Sequence, residues 1–334
     1  MSTPLRLAIV GTGGIARYHL NNLKRMGGTE IAGLCDVELP RAEALAKEFG
    51  GRAYAGVDPL LDTEKPDALL VCTPPFVRLA PIQSACARKI PLFCEKPPAF
   101  SLEDAAQVQA ALDASGVLHS VGFMYRHKET TDRARELLEG QTVLAIQSTF
   151  VNGPLLSPDF PAWFKLQEKS GGPLLDQAIH LLDLLRYLFG DLETIFALGS
   201  NRASTRSAEV TIHDTLNLAL AFQSGLGGTH IHSWASEPAR IRIEILCRTG
   251  NVTLDLRENL LTGKLRGLQF EFKPADDCYV TELERFFQAV RTQDPAPIRS
   301  TYRDAVKTLA ACCAANRSAI SGRPEACESA AGTP

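Results

Sequence analysis

The stretch AIVGTGGIARYH, residues 8–19, decides the fold. An apolar run ends at Val10, glycines stand at Gly11 and Gly13, and Ala16 completes a G-x-G-x-x-A frame opening a helical segment. Glycines at those places permit a tight turn and let the main chain approach a pyrophosphate seated on a helix N-terminus. Alone, the frame is a weak signal. It gains weight because the next apolar run ends in Asp36, about 20 residues on, where a carboxylate can hold the adenosine ribose hydroxyls. Val37 follows, with no basic residue beside Asp36. That favours NAD over NADP, since the carboxylate repels a 2′-phosphate. Arg41, about one helical turn on, works in the opposite direction.

Outward from this turn, short apolar runs alternate with helix-like segments, the pattern of a parallel α/β sheet. Strands are expected at Leu5–Val10, Glu30–Cys35, Ala68–Cys72, Pro91–Cys94 and Leu118–Phe123. Helices are expected at Ile15–Met26, Leu39–Phe49, Val77–Lys89 and Leu102–Ala114, the last opened by a Ser101/Asp104 cap signal. Beyond about residue 140 alternating strands dominate: Val143–Val151, Thr194–Leu198, Leu216–Phe222, Gly228–Ser233, Arg242–Cys247, Asn251–Leu256 and Leu268–Phe272. That texture predicts a large open, mostly antiparallel sheet. Helices over Leu174–Phe189, Val280–Arg291 and Tyr302–Ser318 accompany it, and the small polar tail EACESAAGTP is expected to fray. The organisation expected is α/β, with a dinucleotide-binding domain over 1–123 and a substrate-binding and oligomerisation domain over 124–334.

A chain of 334 residues is long enough for two such cores. Its 45% hydrophobic and 22% charged content is that of an ordinary soluble protein. A net charge of −3 and a pI near 6.2 argue against a nucleic-acid surface. No apolar run approaches the ~20 residues of a membrane span. The N-terminus lacks a charged-then-apolar signal region. The nine cysteines form no Cys-x-x-Cys pair and no zinc spacing with histidine. An odd number of thiols at the ends of apolar runs fits a reducing cytoplasm.

Two further stretches point to chemistry. FCEKPPAF, residues 93–100, closes a core strand with Glu95, Lys96 and two prolines. Lysine is rarely buried, and a following proline restricts Lys96 to extended geometry, which fixes where its ammonium departs. The bland alternative is a surface turn with a snorkelling lysine. In SGGPLLDQAIHLLDLLRYLFG, residues 170–190, Asp176, His180 and Asp183 lie at i, i+4 and i+7 on an otherwise apolar helix. A carboxylate one turn from an imidazole can orient it and tune it for proton transfer. A satisfied core histidine is the alternative, and metal binding lacks a third ligand of suitable spacing.

Together these motifs resemble the Gfo/Idh/MocA oxidoreductases. The resemblance rests on 11-GTGGIA-16, Asp36, 73-TPP-75, 94-CEKP-97, 122-GFMYR-126 and 171-GGPLLDQAIH-180, and it covers most of the chain. It implies a Rossmann domain followed by an α/β domain whose open sheet joins subunits. It places the catalytic lysine on Lys96 and the family's Asp/His pair on Asp176 and His180. It implies cofactor contacts from Gly11, Gly13, Gly14, Ile15, Ala16, Asp36, Thr73, Pro74, Glu95 and Lys96, and a Lys96–Pro97 bond that is often cis. Substrate contacts are implied for Lys96, Arg126, Asp176 and His180. The chain departs from the family at Pro75 and Arg78, where many members carry Asn and His. It departs again at His127 and Lys128, where an aromatic and then a proline are frequent.

The activity expected is NAD-dependent interconversion of a secondary alcohol and a ketone on a sugar, sugar acid, cyclitol or similar polyol. Both Lys96 and His180 are candidates for proton carrier. The alternatives are a reductase of another carbonyl or unsaturated compound, of dihydrodiol or bile-pigment type, and a non-catalytic NAD-binding sensor. In the segment 152–172, Trp163 offers a face for a sugar and Lys165 a charge for a carboxylate or phosphate. A homodimer or homotetramer in the cytoplasm, with no nucleic-acid or membrane partner, completes the expectation.

Overall fold

In the computed structural model, which describes residues 3–153, 155, 157 and 159–328, the chain forms two compact units. The first takes the chain up to Met124 together with Asp277–Val306; the second takes Tyr125–Asp276 and the chain from Lys307.

The first unit holds a parallel sheet of β1 (Leu5–Val10), β2 (Thr29–Cys35), β3 (Arg52–Tyr54), β4 (Ala68–Val71), β5 (Leu92–Cys94) and β6 (His119–Val121). The strand order is β3-β2-β1-β4-β5-β6, the doubly wound arrangement whose switch point lies between β1 and β4. Leu7, Ala8 and Ile9 of β1 and all of β4 are fully buried, as a parallel strand covered on both faces requires. Around the sheet run α1 (Gly14–Met26), α2 (Leu39–Phe49), α3 (Val57–Glu64), α4 (Leu79–Ala87) and α5 (Leu102–Ser115). β3 and α3 carry no clear sequence signal: β3 is a three-residue edge strand with Arg52 exposed.

The second unit contains α6 (Glu129–Leu138), β7 (Val143–Val151), a four-residue α7 (Gln167–Ser170), α8 (Ile179–Phe189), β8 (Leu192–Ser200), β9 (Thr215–Phe222) and β10 (Gly227–Ser233). It continues through β11 (Arg240–Cys247), β12 (Gly250–Asp255), β13 (Leu260–Leu265) and β14 (Leu268–Phe272), and later β15 (Glu325–Ala326). The sheet runs β14-β13-β12-β11-β7-β10-β9-β8-β15, with β7 and β10 parallel and the other described pairs antiparallel. β13 escapes a pattern reading because Gly263 interrupts LLTGKL, and α6 because it buries only Thr130, Thr131 and Ala134.

Four expectations need correction. The helix near residue 280, α9 (Cys278–Thr292), belongs to the first unit and not to the second half of the chain. Its Leu283, Phe286, Phe287 and Val290, at helical spacing, join Leu7, Ile9, Leu20 and Phe93 in one core. The tail is ordered at Glu325–Ala326, which pairs with Ile195 and Thr194; its last six residues lie outside those described. So do residues 154, 156 and 158 of the expected specificity segment. The expectation that alternating apolar residues of Val143–Val151 and Leu216–Phe222 line an exposed sheet face fails in β9, where Leu216, Leu218, Leu220 and Phe222 are buried, leaving Asn217, Ala219 and Ala221 exposed. Finally, the helix expected from Leu174 begins as a π turn, Leu174–Ala178, and becomes α-helical only at Ile179. α10 (Tyr302–Ser321) closes the set, and no described helix is long and apolar enough to cross a membrane.

Candidate active site

In the first unit the glycine turn lies at the switch point. Gly11 has φ +88°, and a Cβ there would stand 2.8 Å from the main chain of Cys72 and Thr73. The turn thus packs main chain against main chain at the end of β4, which only glycine permits. Gly13 caps α1 without a side-chain hydrogen bond, and the first turn carries no acid. A Cβ added at Gly13 or Gly14 meets nothing within 4 Å. The leading N–H groups of α1 therefore border open space, and an anionic pyrophosphate fits both their charge and the room. Ala16 is fully buried and Ile15 packs against the same core.

Asp36 ends β2. Its Oδ2 accepts from the Thr12 amide at 2.9 Å and hydroxyl at 2.7 Å, and its Oδ1 from the Glu38 amide at 2.9 Å. A carboxylate offers about four acceptor positions, so capacity remains for a ribose hydroxyl. Burial alone raises this carboxyl, but the bonds from Thr12 and Glu38, with Arg41 nearby, outweigh it and hold it below the ordinary value. Arg41 itself pairs with Glu38 at 3.0 Å on the surface.

At the end of β5 the buried Glu95 accepts from the Lys96 amide at 3.1 Å and bonds His19 Nε2 at 2.6 Å. The Lys96–Pro97 bond is cis, as the resemblance implies. The buried Tyr302 donates to the Pro98 carbonyl at 3.0 Å. Thr73 lies next to the Gly11 turn, and its carbonyl accepts from the buried Arg78. Lys96 is half-buried at the carboxyl edge of the sheet, where such folds bind ligands. Burial pushes the Cys72 and Cys94 thiols above their ordinary value, so both serve as packing rather than as nucleophiles.

Sequence reasoning missed two partners in this corner. His19 is fully buried on α1, and Glu282 of α9 is 2% exposed, with ligand atoms of His19, Glu95 and Glu282 all within 4.8 Å of one another. Burial, then the charges of Glu95 and Asp277, raise Glu282 well above the ordinary glutamate value. Glu95 goes the other way: burial is outweighed by His19, Lys96 and Arg78. The folded chain thus keeps a proton on Glu282 that the unfolded chain releases. This stabilisation is complete below the ordinary glutamate pKa and is lost as pH rises through the folded value. Urea unfolding followed upward from the ordinary glutamate range is expected to show stability falling as pH rises. Glu282→Gln should flatten that slope; an unchanged slope would contradict the assignment.

In the second unit, Gly171 and Gly172 lead into the π turn, and a Cβ on Gly171, at φ +73°, would meet the Leu175 side chain at 2.3 Å. The Gly171 carbonyl accepts from Gln167 at 2.8 Å and Asn316 at 3.1 Å. Trp234 Nε1 donates to Gln177 at 2.7 Å, tying the turn to the strand end. The turn carries Asp176, half-buried, and hands over to α8, where His180 is 7% exposed beside Tyr125, with ring centroids 5.6 Å apart. π turns inside helices recur at functional sites.

Asp183, one turn beyond His180, is buried and takes a two-pronged bond from Arg126, Nε to Oδ2 at 2.7 Å and Nη2 to Oδ1 at 2.5 Å. Thr308 adds a bond at 3.0 Å, and Arg186 donates to Thr308 at 2.6 Å. Arg126, expected at the substrate, is 3% exposed and in this structure bonds Asp183 of α8. Trp163 is 38% exposed, stacked on Phe164 with centroids 3.8 Å apart, in a short 3-10 turn that also holds Lys165.

Comparison with known proteins gives this arrangement its class. Residues 5–123 match the family model described as an oxidoreductase family with an NAD-binding Rossmann fold, and residues 132–253 match the GFO/IDH/MocA C-terminal domain. The chain belongs to the Gfo/Idh/MocA family of NAD-binding oxidoreductases. It is 31% identical to glucose-6-phosphate 3-dehydrogenase of Bacillus subtilis over 63% of this chain and 60% of that one. It is 27% identical to myo-inositol 2-dehydrogenase of Thermotoga maritima, over 88% of this chain and 90% of the other. Among solved structures, levoglucosan dehydrogenase in complex with NADH and levoglucosan superposes with a TM-score of 0.87, 18% identity, and coverage of 97% and 99%.

Proposed function

We propose that this protein is an NAD-dependent dehydrogenase or reductase that interconverts a secondary alcohol and a ketone on a sugar, sugar acid or cyclitol. The observation that carries the reading is Lys96, held at the carboxyl edge of the parallel sheet by its bond to the buried Glu95. The Rossmann family match and the names of the sugar and inositol dehydrogenase relatives support it. Gly11, Gly13, Gly14, Ile15, Ala16, Asp36, Thr73 and Pro74 would hold the cofactor, whose nicotinamide supplies the hydride chemistry when bound. Lys96 hydrogen-bonds the reacting oxygen and polarises it, His180 takes or gives the hydroxyl proton, and Asp176 orients the imidazole. Trp163 offers the sugar an apolar face. In this reading 1–123 binds NAD and the second half of the chain supplies substrate contacts. The test is NAD reduction across a broad polyol and sugar panel, beside calorimetric NAD titration. Tight NAD binding with no turnover anywhere in the panel would make the protein a sensor instead.

Cofactor choice follows from Asp36. NAD is expected to bind more tightly than NADP, and Asp36→Ala to weaken NAD by about tenfold or more while narrowing the gap, the scale of a hydrogen bond to a charged group. A wild-type protein that prefers NADP widely would overturn this placement. The nine free thiols support a reducing, cytoplasmic setting. A homodimer or homotetramer is also part of the proposal, joined through the open face of the second-unit sheet. Uncharged residues support that face, among them Ala145, Ala219, Ala221 and Thr229 with the larger Leu198 and Leu246, all exposed. Light scattering that returns a monomer mass at micromolar concentration would rule it out.

A further inference from the structure

We infer that Arg78 is a positioning residue for Lys96, an inference that rests on the catalytic reading of that lysine. Arg78 is 3% exposed, and a guanidinium taken out of water is costly unless its donors are matched. Here its bonds run to main-chain carbonyls: Nε and Nη2 to Thr73 at 3.1 and 2.9 Å, Nη2 to Lys96 at 3.1 Å, and Nη1 to Glu95. The balancing charge is the Glu95 carboxylate, 4% exposed, which accepts from the Lys96 amide.

These bonds close on one residue. The peptide before Lys96 is held at its oxygen by Arg78 and at its N–H by Glu95; the peptide after it is held at its oxygen by Arg78. Two fixed peptide planes fix the direction in which the Cα–Cβ bond leaves the chain. A flexible four-carbon stem therefore starts from a defined point, although its own end has many rotamers. The same guanidinium ties the end of β4 at Thr73 to the end of β5 at Lys96, so the turn beside the cofactor glycines and the lysine share one fastening. Only a planar fork with five N–H groups reaches three diverging carbonyls.

The test uses Arg78→Lys, which keeps the charge and loses the fork, and Arg78→Met, which loses both. Each is first checked for melting and for NAD affinity. Because a Cys94–Phe100 peptide also carries the Glu95, Ala99 and Phe100 N–H groups, hydrogen exchange is read at the Lys96 amide itself by NMR. Its protection is expected to fall about tenfold or more in both variants, while the β1 amides are unchanged. Turnover on the best substrate of the panel is expected to fall about 10–100-fold at nearly constant NAD affinity, the scale of a small misplacement of a reacting group. On a Lys96→Ala background, Arg78→Met should then cost little more, because the two act as one unit. Unchanged protection in a folded variant overturns the proposal. So does an equal loss of turnover on both backgrounds, which marks a purely structural arginine. Wild-type turnover in Lys96→Ala itself overturns the catalytic reading instead, and the exchange result still decides whether Arg78 holds the turn.

Discussion

Lys96→Ala is expected to lower turnover by about 10²–10⁴-fold, the scale of losing a positioned polarising or proton-transfer group. NAD affinity should stay nearly intact, because in the proposed reading the N-terminus of α1 and Asp36 carry most of the cofactor binding. His180→Ala should lose a comparable factor. The double variant should fall well short of the product of the two, since groups serving one proton and one oxygen are not additive. Lys96→Arg should not restore activity: the guanidinium is larger, planar and keeps its proton near neutral pH. Steady-state kinetics with thermal melts on the same preparations decide the matter. A folded, NAD-binding Lys96→Ala protein with wild-type turnover would remove the assignment.

The second large effect is on stability. Arg126→Met is expected to destabilise the second unit by about 3–5 kcal/mol, because it leaves the Asp183 carboxylate buried without its counter-ion. That is a large share of the ~5–15 kcal/mol typical of a folded domain. Trp163 and Trp234 both lie in the second unit, so tryptophan fluorescence in urea reports on it directly. Pairing Arg126→Met with Asp183→Leu should recover more than half of the loss, since removing both charges avoids the unpaired one. A single variant within about 1 kcal/mol of wild type would show that the pair carries little. Turnover measured on the same folded variant then reports separately on the substrate contact that the motif suggests for Arg126.

Legibility differed sharply between local and distant features. β1, its glycine turn and α1 are contiguous and each needs a particular residue type, so twelve letters predict them. The buried strands β4 and β5 were also plain, because a parallel strand covered on both faces leaves a continuous apolar run. β3 and α6 were not, since each buries too little apolar surface to imprint a period. Lys96, Asp176 and His180, the residues of the proposed chemistry, stand out in the sequence because glycine, proline and a carboxylate mark them locally. The motif that suggests Arg126 at the substrate carries identity and no direction, and it does not show that Arg126 also bonds Asp183, fifty-seven positions away.

By itself the sequence determined the parallel sheet, the nucleotide turn and the second mostly antiparallel sheet, and it supplied the three candidates on which the proposed chemistry rests. Those features depend on spacing within a strand, a turn or one helix, and spacing is written in the chain. Only the tertiary structure decided that α9 joins the first core, that Glu282 and His19 gather around Glu95, and that Arg78 grips the main chain on both sides of Lys96. It also decided that the helix carrying His180 starts as a π turn. Each of these depends on which distant groups leave water together. A buried charge or proton is tolerated only where those groups meet it, and one-dimensional order does not say where that will be.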